Sequence, residues 1–126
     1  MRTIERTSNA KIEGAGLRII AQRRTKWKQA DARKFYAVHA KRPFYKDLVK
    51  FMTSGPIVMQ VLEGDNAIAK IRDMLGPTNS KVAPQGTIRG DLGVDMMVNV
   101  CHASDSPENG EIEVARFFDK SEIFAY

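Results

Sequence analysis

The chain has almost no cysteine and lacks any long apolar run. Cys101 is its single cysteine, so the chain cannot form an internal disulfide or a zinc site built from cysteines. The longest mostly apolar stretch, from Pro56 to Leu62, is interrupted by Gln60 and is far too short to cross a bilayer. Residues 1–16 contain no continuous apolar segment of the signal-peptide type, so we expect an unprocessed, cytoplasmic protein.

Charge of one sign is not concentrated in any continuous block. The 126 residues carry a net charge of +5 and predict a single domain over residues 1–126. Basic residues cluster in 23–28 and 41–50, but acidic residues interrupt the later stretches, and five consecutive like charges never occur. The pattern leaves open a solvated basic face, a nucleic-acid-binding surface or a site for small polyanions such as nucleotide phosphates.

Apolar periodicity predicts helices and strands that alternate along the chain. The predicted helices span 9–16, 29–40, 44–54, 65–76 and 104–118. The predicted strands span 17–25, 56–64 and 96–103, with a long loop at 77–95. Asp65 is the predicted cap of the fourth helix, Gly76 its end, and Ser104 or Ser106 the cap of the last. This alternation indicates an α/β layered domain with helices packed on a sheet.

His102 stands at the end of a predicted strand and directly before a predicted helix. The first N–H groups of a helix are unpaired and attract anions, and a neutral imidazole there could attack phosphorus. Ser104, His102 and Asp105 lie too close along one turn to form the nucleophile, base and orienting group of a hydrolase. A purely structural histidine remains the alternative interpretation.

Arginine and aromatic side chains mark a second candidate region. Arg72 lies late in a predicted helix, Thr78 follows it, and Arg89 lies in a glycine-bearing loop. These side chains could bind a triphosphate or could be ordinary surface residues. The chain has neither a GxxxxGK[ST] nor a GxGxxG phosphate loop. Tyr36 and Phe44 either pack in a helical core or provide a stacking surface for a base.

Three segments strongly resemble the nucleoside diphosphate kinase family: YAVHAKRPFYKDLVKFMTSGPIVMQVLEG, GTIRGD and NVCHASDSPE. The similarity runs from about Asn9 to Phe118. It implies an α/β (α+β) fold, a ferredoxin-like βαββαβ sandwich whose four-stranded antiparallel sheet is covered by helices. It also implies a homo-oligomer, tetramer or hexamer, that neither spans a membrane nor requires nucleic acid.

The resemblance further implies an activity and the residues that carry it. The γ-phosphate of ATP or another nucleoside triphosphate would pass to a nucleoside diphosphate by ping-pong transfer, with Mg²⁺ held mainly by the nucleotide phosphates. The implied catalytic residues are the phosphorylated nucleophile His102, its orienting carboxylate Glu113, the adjacent hydroxyl of Ser104, and Tyr36 near the phosphates. The implied nucleotide ligands are Phe44 for the base, Asn99 for the sugar, and Arg72, Thr78 and Arg89 for the phosphates.

The sequence departs from the family pattern at three places. Ala103 replaces a glycine and Ser80 replaces a proline common among members. The strand with its Lys-Pro-Asp motif, whose lysine contacts the transferred phosphate in the family, is missing, since ERT continues through Ser8 into NAKIEGAG. We interpret this as omission of an internal segment between Thr7 and Asn9. The alternatives are a true deletion, giving a catalytically impaired family member, and a basic nucleic-acid-binding module whose binding would weaken with salt.

Overall fold

The computed structural model describes residues 2–94 and 101–126, with side chains from Thr7 onward. The helices found there are α1 (Arg2–Gly14), α2 (Gln29–Phe35), α3 (Tyr45–Met52), α4 (Ala67–Leu75), α5 (Ile88–Leu92) and α6 (Pro107–Phe117). The strands are β1 (Arg18–Thr25) and β2 (Ile57–Glu63), which form an antiparallel pair. This α+β arrangement confirms the predicted fold class. No helix among the described residues is long and apolar enough to cross a membrane.

One compact unit comprises the described residues of Met1–Ala21 and Val61–Tyr126. Its buried apolar residues lie in or next to α1, β1, β2, α4, α5 and α6, and they are Ile12, Leu17, Ile20, Ala21, Val61, Leu75, Ile88 and Phe118. Helix α4 contacts both α1 and α5. Near the C-terminus, the Phe124 amide donates to the Ile20 carbonyl at 2.8 Å. The end of the chain is therefore held against strand β1.

The other unit comprises Gln22–Gln60 and contains the paired helices α2 and α3. Trp27, Ala32, Tyr36 and Val49 are its buried apolar residues. The helix predicted at 29–40 ends earlier, at Phe35, and a 3₁₀ turn covers Ala37–His39. The prediction of one domain over the whole chain stays a prediction.

Several predicted boundaries need correction. Asn66, with φ of 53°, and not Asp65, precedes the first turn of α4, while Gly76 ends the helix at φ of 80° as predicted. The region 77–95 is not an irregular loop throughout, because it contains a 3₁₀ turn and helix α5. Strand β2 is less buried than predicted, since only Val61 is fully covered.

The segment around His102 differs from its sequence interpretation. Most of the strand predicted at 96–103 lies outside the described residues, and Cys101 to Ser104 have no regular secondary structure. Ser106 caps α6 by accepting a hydrogen bond from the Asn109 amide, and Pro107 is the first helical residue. His102 therefore lies several residues before the helix and not directly at its N-terminus.

Helix α1 begins at Arg2 and continues through Thr7, Ser8 and Asn9. Residues 2–7 are thus helical, and no strand precedes α1 among the described residues. The helix ends close to Gly16, whose φ of 81° lies in the left-handed region that favours glycine. Leu17 follows in the core and leads directly into β1.

Candidate active site

A small pocket opens at the C-terminal end of α4. Its lining residues are Arg72, Leu75, Gly76, Pro77, Thr78 and Arg89. Gly76 permits the left-handed turn that ends the helix, and a Cβ there would lie 2.8 Å from the Thr87 hydroxyl oxygen. Thr87 caps α5 by accepting a hydrogen bond from the Gly90 amide at 3.0 Å. The cap fixes the start of α5, which carries Arg89 into the pocket wall.

Arg89 is only 9% exposed, and main-chain oxygens hold its guanidinium group in place. Nη1 donates to the Gly76 carbonyl at 3.0 Å, and Nη2 donates to the Cys101 carbonyl at 2.8 Å. Nε is buried and has no hydrogen-bond partner among the described residues. Burial lowers the pKa of Arg89, and the nearby cation of Arg72 lowers it further. A guanidinium has five N–H donors, so this one is positioned by two bonds and retains donors for an anion.

His102 lies beside Glu113, a residue of α6. Its Nε2 is 3.7 Å from Glu113 Oε1, an electrostatic contact longer than a direct hydrogen bond. The hydroxyl of Ser104 donates a short hydrogen bond to the other carboxylate oxygen, Oε2. The His102 side chain is 46% exposed and that of Glu113 is 26% exposed. The serine thus orients a carboxylate that faces the imidazole, while the imidazole stays accessible.

Electrostatics favour the neutral form of His102. Burial lowers its pKa, and Arg89 acts in the same direction, while the carboxylates of Glu113 and Asp105 oppose both. Burial also raises the pKa of the preceding Cys101 thiol to about 11, so that thiol is protonated at pH 7. The Asn109 amide donates to Asp105 at 2.6 Å and lowers the pKa of that carboxyl group. A neutral imidazole is the nucleophilic form.

The arginine pocket lies beside the segment of main chain that carries His102. Arg89 lines the pocket and binds the carbonyl of Cys101, the residue directly before His102. In the sequence, only the family resemblance links Arg72, Thr78 and Arg89 to the histidine. The structure brings these side chains together, and it places a cationic pocket next to an accessible imidazole with a carboxylate behind it.

Comparison with known proteins identifies the family. A sequence model described as "Nucleoside diphosphate kinase" matches residues 2–123. This chain belongs to the nucleoside diphosphate kinase family. The nucleoside diphosphate kinase of Methylobacterium nodulans is 56% identical over 115 residues, which cover 91% of this chain and 82% of that protein. The Methylorubrum populi enzyme is 52% identical over 124 residues, 98% of this chain and 89% of that protein.

Solved structures of the family confirm the fold. The Aquifex aeolicus nucleoside diphosphate kinase superposes with a TM-score of 0.86 at 41% identity, covering 94% of this chain and 86% of that one. A halophilic nucleoside diphosphate kinase from Halobacterium salinarum, determined in complex with CDP, gives a TM-score of 0.89 at 34% identity. That match covers 94% of this chain and 79% of the other. The predicted ferredoxin-like sandwich is therefore confirmed for this family member.

Three residues of the family pattern remain, namely Tyr36, Phe44 and Asn99. Tyr36 and Phe44 lie in the unit formed by Gln22–Gln60, where Tyr36 is buried and Phe44 is 43% exposed. His39 stacks near Tyr36, with ring centroids 6.4 Å apart, and its ring is 5.6 Å from that of Phe44. Asn99 lies outside the described residues. The roles of these residues stay predictions.

Two of the departures from the family pattern can be placed in the structure. Ser80 is buried, its hydroxyl has no hydrogen-bond partner among the described residues, and it packs against Gly93. A Cβ on Gly93 would lie 2.0 Å from that hydroxyl oxygen, so the backbone must pass close to the serine. Ala103 lies between His102 and Ser104, and neither it nor Ser80 removes a group that reacts.

The two groups that anchor Arg89 are not recognisable in the amino-acid sequence. They are the main-chain carbonyls of Gly76 and Cys101, and a carbonyl carries no residue-type signal. The turn at Gly76 was a partial clue, since a helix ending there leaves its last carbonyls without intrahelical donors. No group of three or more His, Cys, Asp or Glu side chains that could hold a metal occurs in the described part of the chain.

Proposed function

We propose that this chain transfers the γ-phosphate of a nucleoside triphosphate, such as ATP, to a nucleoside diphosphate through a phosphohistidine on His102. The observation that carries the proposal is the arrangement of two contacts around this residue. Glu113 faces the imidazole at 3.7 Å, and the buried guanidinium of Arg89 binds the carbonyl of the preceding residue. The main chain at Cys101 therefore connects the proposed nucleophile, His102, to the pocket residue Arg89.

In the first half-reaction, the proposed attacking atom is His102 Nδ1, because Nε2 is the nitrogen directed to Glu113. The Nδ1 lone pair forms a bond to the γ-phosphorus, and the bond from that phosphorus to the bridging oxygen breaks. The electron pair leaves with the nucleoside diphosphate. The Nε2 proton stays on the ring, and the Glu113 carboxylate stabilises the positive charge that develops there. Ser104 holds the carboxylate in orientation through its own hydrogen bond.

In the second half-reaction, a different nucleoside diphosphate occupies the same site and takes the phosphoryl group from nitrogen. Its terminal oxygen forms the new bond to phosphorus as the nitrogen–phosphorus bond breaks, which restores neutral His102. Because donor and acceptor use one site in turn, the kinetics are ping-pong.

Binding of the phosphates rests on Arg72, Thr78 and Arg89, whose side chains line the pocket. Phosphoryl transfer depends chiefly on alignment and charge neutralisation, and two guanidinium groups with one hydroxyl can supply both. Mg²⁺ would be carried by the nucleotide phosphates as part of the substrate and would supply charge neutralisation during transfer. We assign no residue of this chain as its direct ligand.

Broad tolerance of bases follows from the proposed contacts of the nucleoside. Phe44 would stack on the base, Tyr36 would lie near the phosphates, and Asn99 would bind a sugar hydroxyl. Stacking on an aromatic ring accepts every base, since all bases present a π-face. The half-exposed ring of Phe44 is suited to this contact.

We also propose that the protein works in the cytoplasm as a homo-oligomer. Phe124 and Tyr126 are 72% and 76% exposed near the C-terminus, and aromatic rings of this kind are enriched at subunit interfaces. A chain with a single cysteine, which cannot form an internal disulfide, suits a reducing compartment.

Incubation with MgATP that carries a radiolabel on its γ-phosphate tests the proposed function. We expect the purified chain to acquire phosphate that is labile in acid and stable in base, because it is bound to an imidazole nitrogen. After removal of free nucleotide, addition of GDP should release the label as GTP. Phosphorus NMR should assign the phosphate to Nδ1. A chain that takes up no label, or whose label survives acid, would contradict the proposal.

The pH dependence of phosphorylation should reflect the lowered pKa of His102. Neutral imidazole persists to a lower pH than in an ordinary histidine, whose pKa is about 6.5. We therefore expect the rate constant for phosphorylation by MgATP, measured by rapid quench, to fall at acid pH with a midpoint below pH 6.5. In Glu113→Gln, the loss of a carboxylate that favours the charged ring should move this acid limb to still lower pH. If the acid limb of the wild-type pH profile has its midpoint above pH 6.5, the assignment of His102 as the titrating nucleophile is contradicted.

A further inference from the structure

Lys11 of helix α1 contacts the turn that carries Arg89, although 75 residues separate it from that turn in sequence. Its Nζ donates to the Gly86 carbonyl at 2.8 Å and lies 3.8 Å from Asp91 Oδ2. These two residues are the first and the last of the segment Gly86–Asp91. A single ammonium group therefore holds both ends of the Gly86–Asp91 turn.

The turn is closed by its own hydrogen bonds as well. Asp91 Oδ1 accepts from the Gly86 amide at 2.8 Å, and the Thr87 hydroxyl donates to the Pro84 carbonyl at 2.6 Å. Gly86 has a φ of 94°, and a Cβ on Gly90 would lie only 2.0 Å from the Pro84 oxygen. The backbone is thus tightly folded, and Lys11 is its side-chain anchor from helix α1.

The Lys11 contact is partly withdrawn from water. The side chains of Lys11 and Asp91 are 29% and 31% exposed. The ammonium offsets the negative charge of Asp91 within two residues of Arg89, whose own cation is buried. Without Lys11, the Asp91 carboxylate would lose this cationic partner, and its negative charge would lie close to Arg89, which lines the phosphate pocket. The Gly86 carbonyl would also lose the donor that Lys11 provides.

We propose that Lys11 is a positioning residue, which holds the Gly86–Asp91 turn so that Arg89 is presented to the nucleotide phosphates. This inference rests on the phosphate-binding role of Arg89 in the proposed function. Lys11 itself does not touch substrate, because its ammonium is engaged by Gly86 and Asp91. Small displacements of a group that binds a transferred phosphate lower the rate strongly, so a remote anchor can affect turnover.

The test compares Lys11→Met and Lys11→Gln with Lys11→Arg and with Lys81→Met, which changes an exposed lysine of the same unit. For Lys11→Met and Lys11→Gln we expect kcat/KM to fall about fivefold or more. Lys11→Arg keeps the charge and a donor, so we expect its kcat/KM to lie within about twofold of wild type. The control should stay within about twofold of wild type. The affinity for MgADP, measured by calorimetry, should weaken in parallel and requires no turnover.

A double-mutant cycle with Arg89→Ala separates positioning from general stability. If Lys11 acts through Arg89, Lys11→Met should change kcat/KM by less than about twofold in the Arg89→Ala background. An undiminished loss in that background, or a Lys11→Met protein equal to the Lys81→Met control in both kinetics and MgADP affinity, would overturn the inference. If Arg89→Ala itself keeps full activity and affinity, the proposed function of the pocket fails instead, whatever Lys11 does.

Discussion

Replacing His102 with glutamine is expected to abolish phosphorylation of the chain by MgATP. Glutamine approximates the length of histidine and can still approach Glu113, but its amide nitrogen has no available lone pair for attack on phosphorus. Loss of a nucleophile removes the whole ping-pong route, so nucleotide exchange should fall by roughly 10⁴-fold or more. The measurement is the stoichiometry of acid-labile phosphate, followed by a coupled assay for formation of the second triphosphate.

His39→Gln provides the matched control, because the chain has only two histidines. His39 lies in the Gln22–Gln60 unit near the rings of Tyr36 and Phe44, and among the described residues no ion pair links it to a carboxylate as Glu113 is linked to His102. We expect His39→Gln to accept phosphate at the wild-type stoichiometry. If His102→Gln were labelled as fully as wild type, or if only His39→Gln lost the label, the assignment of the nucleophile would be wrong.

The order of helices and strands was predictable because it depends on local patterning. Helix α4 has apolar residues at helical spacing and ends at a glycine, and β1 has alternating apolar residues after a helix end. Boundaries were less predictable. The helix predicted at 29–40 stops at Phe35 because a 3₁₀ turn follows before Pro43, and periodicity alone does not distinguish these two helical forms.

The chemistry at His102 was predictable from residue types, while its geometry was not. The sequence placed the histidine directly at a helix N-terminus, but α6 begins only at Pro107. The helix contributes instead through Glu113, two turns further on, whose carboxylate faces the imidazole. Contacts between residues distant in sequence depend on tertiary packing, and no local pattern encodes them.

The burial and the contacts of Arg89 were likewise not predictable from its sequence context. Its sequence context, GTIRGD, was as consistent with an ordinary surface arginine in a glycine-bearing loop as with a phosphate ligand. In the structure it belongs to helix α5 and is buried, with its guanidinium spanning two separate pieces of main chain. A buried cation bound to carbonyl groups remains charged at pH 7 even though burial lowers its pKa. Such a cation is positioned before substrate arrives, which favours transition-state stabilisation over mere binding.

Replacing Arg89 with alanine should therefore lower kcat/KM by about 10²-fold to 10³-fold, the range typical for loss of one preorganised donor in an active site. Stability should fall too, by about 1–3 kcal/mol, because the Gly76 and Cys101 carbonyls lose their donor. Arg89→Lys should keep the charge but not the two-carbonyl bridge, since an ammonium is a point donor on a flexible stem. We expect its kcat/KM to lie between those of alanine and wild type.

Steady-state kinetics with MgATP and a nucleoside diphosphate, combined with thermal unfolding, separate the catalytic effect from the structural one. Arg33→Ala is the control, because Arg33 is exposed on α2 and its guanidinium donates to Gln29 of the same helix. The control should keep both activity and stability near wild type. An Arg89→Ala protein that unfolds earlier but turns over at the wild-type rate would show that Arg89 serves the fold alone, and the cationic part of the proposed mechanism would have to move to Arg72.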